Sequence, residues 1–191
     1  MQTQIFRKTF LGLMALGLTL SMFAILSCSS GDDDGNENTF IQRQANLTGA
    51  AERPAPVTTN ATGSSLLTVS DDQQSIFFTL TYIGLTNVQQ AHIHVGDASI
   101  AGGIILFLCT NIGTGTNVAI GGGPLPTPQA CPQGASVTIT GTLTEQNLSP
   151  KPAQGINTFA DAVAALISGN TYTNVHTAAN TGGEIRGQDL P

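Results

Sequence analysis

The chain's three histidines fall in two short segments, Ala91-His92-Ile93-His94-Val95-Gly96 and Asn174-Val175-His176-Thr177. Strand side chains alternate faces with period two, so His92 and His94 point the same way if Gln90 to Val95 is a strand. Tyr172, Asn174 and His176 share a face of a second strand by the same rule, and Glu184 and Arg186 share a face of the one that follows. If these strands are neighbours, three imidazoles, a carboxylate and a guanidinium converge. One reading is a divalent-metal site, for zinc or copper, on His92, His94 and His176, with Glu184 as fourth ligand or as acceptor from a ring N–H. The other is structural: the rings hydrogen-bond loop backbones and the Glu184–Arg186 pair, and so tie down one end of the fold.

Other constellations are poor. No Gly-x-Ser-x-Gly is present to expose a nucleophile. Asp71 and Asp72 form a carboxylate pair, but Gln73-Gln74 follows them in what reads as a solvated turn. Gly121-Gly122-Gly123 lacks the strand–helix context and the lysine of a phosphate loop. Tyr82, Phe77 and Phe78 lie in a strand-like run and are read as core. The chain has no tryptophan, so an aromatic platform for sugars is thin.

The elements that must position these residues are short strands. Charged residues are only 9% of the chain, and Gly, Thr and Asn are abundant. Strand patterns cover Phe40–Leu47, Ser64–Val69, Ser75–Ile83, Gln90–Val95, Ile104–Leu108, Ser136–Leu143, Thr171–Thr177 and Glu184–Gln188. Ser70-Asp71-Asp72-Gln73-Gln74 reads as a hairpin turn. One helix interrupts the pattern: Thr158 is its N-cap, Asp161 follows three positions on, and Gly169 stops it. Its apolar positions 159, 162, 163, 166 and 167 lie on one stripe, which should pack on the sheets. The expected fold is all-β, an antiparallel β-sandwich with Greek-key-like connections and one short helix.

The N-terminus has the three-part logic of a signal peptide. Arg7 and Lys8 precede an almost wholly apolar stretch from Phe10 to Leu26, and Ile25-Leu26-Ser27-Cys28 resembles a bacterial lipobox. Residues 1–27 are therefore expected to be removed and Cys28 to carry lipid. The alternative is a plain transmembrane anchor, for which about 17 apolar residues are at the short limit. Residues 28–38 hold no apolar side chain beyond the cysteine and are expected to form a disordered acidic tether, leaving residues 39–191 as the domain. Cleavage leaves four basic residues, Arg43, Arg53, Lys151 and Arg186, against 12 acidic ones. Such a balance argues against nucleic acid as a partner and leaves attachment to the membrane to the lipid. Cys109 and Cys131 flank a Gly/Pro-rich stretch that little else would order. An oxidising compartment would join them in a disulfide worth about 3 kcal/mol. The alternative, two metal thiolates beside the histidines, fits poorly, since periplasmic thiols oxidise and the spacing matches no zinc pattern.

Several segments together resemble the CHRD domain, a module repeated in chordin and found singly in many bacterial secreted proteins. They are Leu47-Thr48-Gly49-Ala50-Ala51-Glu52-Arg53-Pro54, Ala61-Thr62-Gly63, Leu85-Thr86, Ala91-His92-Ile93-His94, and Asn174-Val175-His176-Thr177 with Gly183-Glu184-Ile185-Arg186-Gly187-Gln188. The resemblance spans about residues 39–191. It departs after the first His pair, where Gly96 to Gly103 lacks the proline usual there. It implies a β-rich extracytoplasmic module associated with binding an as yet unidentified protein partner, and no reaction. His-x-His also resembles the copper ligands of copper/zinc superoxide dismutase. Three histidines cannot supply that family's fourth copper ligand or its zinc set, so dismutase activity is not expected. The reading taken forward is a lipid-anchored, non-catalytic binding or envelope module in the bacterial cell envelope, at the periplasmic face or outer surface of the outer membrane. Its alternative is a metal-binding, redox-active protein using the three histidines.

Overall fold

The computed structural model describes residues 40–191. The signal segment 1–27, the lipidation position Cys28 and the 28–38 tether lie outside the described residues. Eight strands are present: β1 (Ile41–Thr48), β2 (Thr62–Val69), β3 (Ile76–Ile83), β4 (Val88–Val95), β5 (Ile104–Thr110), β6 (Ser136–Leu143), β7 (Thr171–Thr177) and β8 (Ile185–Gln188). The one α-helix, α1, runs Phe159–Ile167.

Period-two alternation explains the strands. Along β3, Ile76, Phe78, Leu80 and Tyr82 are buried while the residues between them are not. Phe77 and Phe78 are adjacent, so the pleat must send them to opposite faces. Phe78 enters the core, and Phe77 is 49% exposed, which corrects the expectation that both are core. The β2–β3 hairpin closes on Asp72, whose Oδ1 accepts from Ser70 Oγ and from Gln74 N. Helix α1 starts at a reciprocal cap: Thr158 Oγ1 accepts from Asp161 N, and the Asp161 carboxylate accepts from Thr158 N. It ends where Gly169 takes the left-handed conformation, at φ +74°. Phe159, Ala162, Val163 and Leu166 bury its apolar stripe in the core beside β1.

The strands are antiparallel in the order β5-β4-β7-β8-β1-β2-β3-β6. The seam between β8 and β1 holds one ladder pair, Thr48 with Arg186, and a bridge beyond it from Gln44 to Leu190. The sheet turns over at this seam into two layers of four strands around one core. Connections β3–β4, β5–β6 and β6–β7 each pass from one layer to the other, so the sandwich has the expected Greek-key-like character. The outer edges also approach. Gln129 Nε2 donates to Leu108 O of β5 and to Thr140 O of β6, which makes the sandwich nearly a barrel and covers its open edges. The disulfide forms between Cys109, at the end of β5, and Cys131, with Cα atoms 5.0 Å apart.

The two layers differ in one respect that matters for the site. In β1, β2, β3 and β6 one face is core and the other is largely open. In β7 all seven residues are buried, and β4 and β5 are buried on both faces over most of their length. The outer face of this layer is therefore roofed, and the residues beneath the roof are mostly polar.

Candidate functional site

Strands β4 and β7 are direct neighbours. Their register sets His92 opposite Asn174, His94 opposite Tyr172, and Gln90 opposite His176. Ala91, Ile93 and Val175 face the core, so parity sends the three imidazoles to the roofed outer face. His92, His94 and His176 are 0, 7 and 8% exposed. Ring centroids are 4.8 Å apart for His92–His176, 5.5 Å for His92–His94 and 6.2 Å for His94–His176. One ring nitrogen from each lies within 4.8 Å of the others.

The roof is the β4–β5 loop, Gly96 to Gly103, together with the β7–β8 turn. His94 Nδ1 is 2.9 Å from Gly102 O. A carbonyl only accepts, so Nδ1 carries the hydrogen and Nε2 keeps its lone pair. That Nε2 is buried and has no partner among the described residues. His176 repeats the arrangement: Nδ1 donates to Thr181 O at 2.9 Å, and Nε2 lies 3.0 Å from Asn174 Oδ1. For His92 neither nitrogen has a partner among the described residues, and Phe107 packs edge-on at 4.5 Å. Tyr172 stacks on His94 at 4.7 Å and its hydroxyl accepts from Gly102 N. The Arg186 guanidinium lies 3.3 Å from the Tyr172 ring centre and donates to Asp97 O and Ile100 O. Arg186 thus fastens the loop, and the loop fixes the tautomer of His94.

Burial keeps these rings neutral. It pushes His92 well below the ordinary imidazole value, aided by the charges that His176 and His94 would carry. Burial takes His94 down to about 3, against the bond to Gly102. Burial also lowers His176, again against its carbonyl partner. Near neutral pH the cluster is three free-base imidazoles, the form that binds a metal.

Glu184 is not brought to the cluster. Strand β8 begins at Ile185, and the Glu184 carboxylate accepts from Thr59 Oγ1 at 2.9 Å and Thr177 Oγ1 at 2.6 Å. Its expected role as fourth ligand or as acceptor from a ring N–H, and its expected pairing with Arg186, are corrected on this geometry. Half of the structural reading of the histidines does hold: His94 and His176 bond loop carbonyls. His92 has no such explanation.

Three polar residues of this region were not singled out from sequence. Glu52 is buried with Oε1 unpartnered, lying so close to Gly183 that a Cβ there would sit 2.4 Å from it. Burial raises its pKa to about 7, against the charges of Arg186 and Arg53. Asp189 lies within the core, accepting from Ser65, Thr171 and Thr173 hydroxyls, and burial raises it to about 6. Asn174 lies among the histidines. Its parity with Tyr172 and His176 was the available signal.

No curated protein and no solved structure matches the chain. The family model of the CHRD domain matches residues 43–188, from within β1 to the last residue of β8. That span contains both histidine segments, the roof over them and the disulfide, so the whole described sandwich is one such module and the chain belongs to the CHRD domain family.

Proposed function

We propose that the protein is a lipid-anchored, extracytoplasmic, non-catalytic binding module of the bacterial envelope whose ligand is one divalent transition-metal ion, zinc or copper, held by His92, His94 and His176. The observation that carries this reading is that one ring nitrogen from each of three buried imidazoles lies within 4.8 Å of the others, while both nitrogens of His92 and Nε2 of His94 have no partner among the described residues. A buried polar atom left unpaired costs about 1–3 kcal/mol. A metal at about 2.0–2.1 Å from each ring would satisfy them together. Two ligands of one tetrahedral ion lie about 3.3 Å apart, so ring movements of about 1 Å complete the geometry. The Nδ1–H bonds to Gly102 and Thr181 are the contacts that orient ligating histidines elsewhere. Imidazole nitrogen suits both zinc and copper. Anchoring is supported by the lipobox resemblance at Ile25-Leu26-Ser27-Cys28.

The test is metal analysis of the mature chain purified without a His-tag, after titration with zinc or copper and gel filtration. One ion per chain is expected, lost in His92→Ala/His94→Ala. A wild-type chain that retains no stoichiometric metal defeats the reading. Anchoring is tested separately: Cys28→Ala should move the protein from the membrane fraction to the soluble one.

A further inference from the structure

We propose that Asn174 Oδ1 is the fourth ligand of the ion held by His92, His94 and His176, so that the centre is a closed site of three nitrogens and one oxygen. The inference rests on the metal reading above and adds a residue to it. Asn174 is 2% exposed and sits on the imidazole face of β7, directly opposite His92 and two residues before His176.

Matching of donors and acceptors points to the ion. Because His176 Nδ1 donates to Thr181 O, its Nε2 presents a lone pair. That lone pair faces Asn174 Oδ1, a second acceptor, at 3.0 Å. Two acceptors at this distance repel. A cation resolves the conflict, since two ligands of one ion with bonds of about 2.0–2.1 Å lie about 2.9–3.4 Å apart. Turning the amide over would let Nδ2–H donate to His176. It would still leave both nitrogens of His92 without partners. One ion satisfies His92, His94, His176 and Asn174 together.

Such a centre has the character of a holding site. Catalytic zinc keeps a position for water or substrate, whereas structural zinc is closed by four protein ligands. The amide oxygen is also a harder donor than sulfur, which favours zinc(II) or cobalt(II) over copper(I).

The experiment uses the mature chain loaded with cobalt(II), whose visible bands report coordination number, and with zinc(II) for affinity. The wild type should show intense four-coordinate bands that azide does not change. Asn174→Ala should open a position: weaker bands, a spectral response to azide, and zinc affinity reduced by tenfold or more. Asn174→Asp, which keeps an oxygen in place, should restore the four-coordinate spectrum. If Asn174→Ala fails to fold, the azide response of the wild type still decides, because a closed site gives none. A wild-type spectrum that shifts with azide, or an Asn174→Ala protein with unchanged spectrum and affinity, overturns the role of Asn174 and leaves the three-histidine reading standing. Absence of any stoichiometric metal in the wild type overturns both.

Discussion

Lowering the pH should unfold the metal-free domain along a curve with two slopes. In the unfolded chain each imidazole takes up a proton near pH 6.5. In the folded domain burial holds His92, His94 and His176 below that value. The unfolded state therefore binds more protons, and stability present above pH 6.5 is lost as the pH falls through and below it. Three protons correspond to about 4 kcal/mol per pH unit. Two carboxyls act the other way. Glu52 is raised to about 7 and Asp189 to about 6, so the folded state keeps protons there that the unfolded state has released. Between pH 6 and about 4.5 they cancel about two of the three protons, leaving about 1.4 kcal/mol per pH unit. Below about pH 4 the unfolded carboxyls are protonated too, the opposition ends, and the slope steepens, to at most about 4 kcal/mol per unit. For a domain at the low end of ordinary stability, about 5–7 kcal/mol, the collapse falls between about pH 3 and 4. Urea melts of the mature chain with chelator, followed by circular dichroism from pH 4 to 8, measure the curve. Glu52→Gln removes one opposing group and should steepen the segment between pH 6 and 4.5 by about 1.4 kcal/mol per unit. Equal stability at pH 7 and pH 4.5 would refute buried neutral imidazoles, and an unchanged slope in Glu52→Gln would refute the compensating carboxyl.

Replacing His92 by Leu should leave the metal-free domain as stable or make it more stable by about 1–3 kcal/mol, because it removes a buried ring with no hydrogen-bond partner; a large loss in urea melts would contradict this. The same variant should bind no metal in the titration. Changing Cys109 and Cys131 to Ala should cost about 3 kcal/mol, read as a lower urea midpoint that reductant no longer shifts. Gly183→Ala places a Cβ 2.4 Å from Glu52 Oε1 at φ +121°, so a loss of about 2–4 kcal/mol is expected, partly recovered in Gly183→Ala/Glu52→Ala. Full recovery would mean that the contact alone, and not the backbone conformation, sets the cost.

What the chain's pattern revealed and what it concealed follow from the reach of the alternation rule. Parity is a local property, so it placed His92 with His94 and Asn174 with His176 wherever a strand was continuous, and β6, β7 and the α1 cap fell on their expected residues. The rule works only inside a strand. Glu184 has the same parity as Arg186, but it stands one residue before β8, where the ladder no longer dictates direction and two threonine hydroxyls do. Phe77 was misjudged by treating hydrophobicity as stronger than the pleat, although its neighbour Phe78 already occupied the core face. Glu52 and Asp189 were beyond reach for another reason. Their burial depends on partners far along the chain, Gly183 for one and Ser65 for the other, and nothing near residue 52 or 189 signals those contacts. The neighbourhood of β4 and β7 was likewise a non-local fact: the pattern made the imidazole cluster conditional on it, and the sheet order supplied the condition. The cluster's chemistry then turns on the step that sequence could least foresee, the Gly96–Gly103 roof. By accepting from His94 Nδ1 through Gly102 it leaves Nε2 as a bare lone pair, and by excluding water it makes that lone pair costly to leave unpaired.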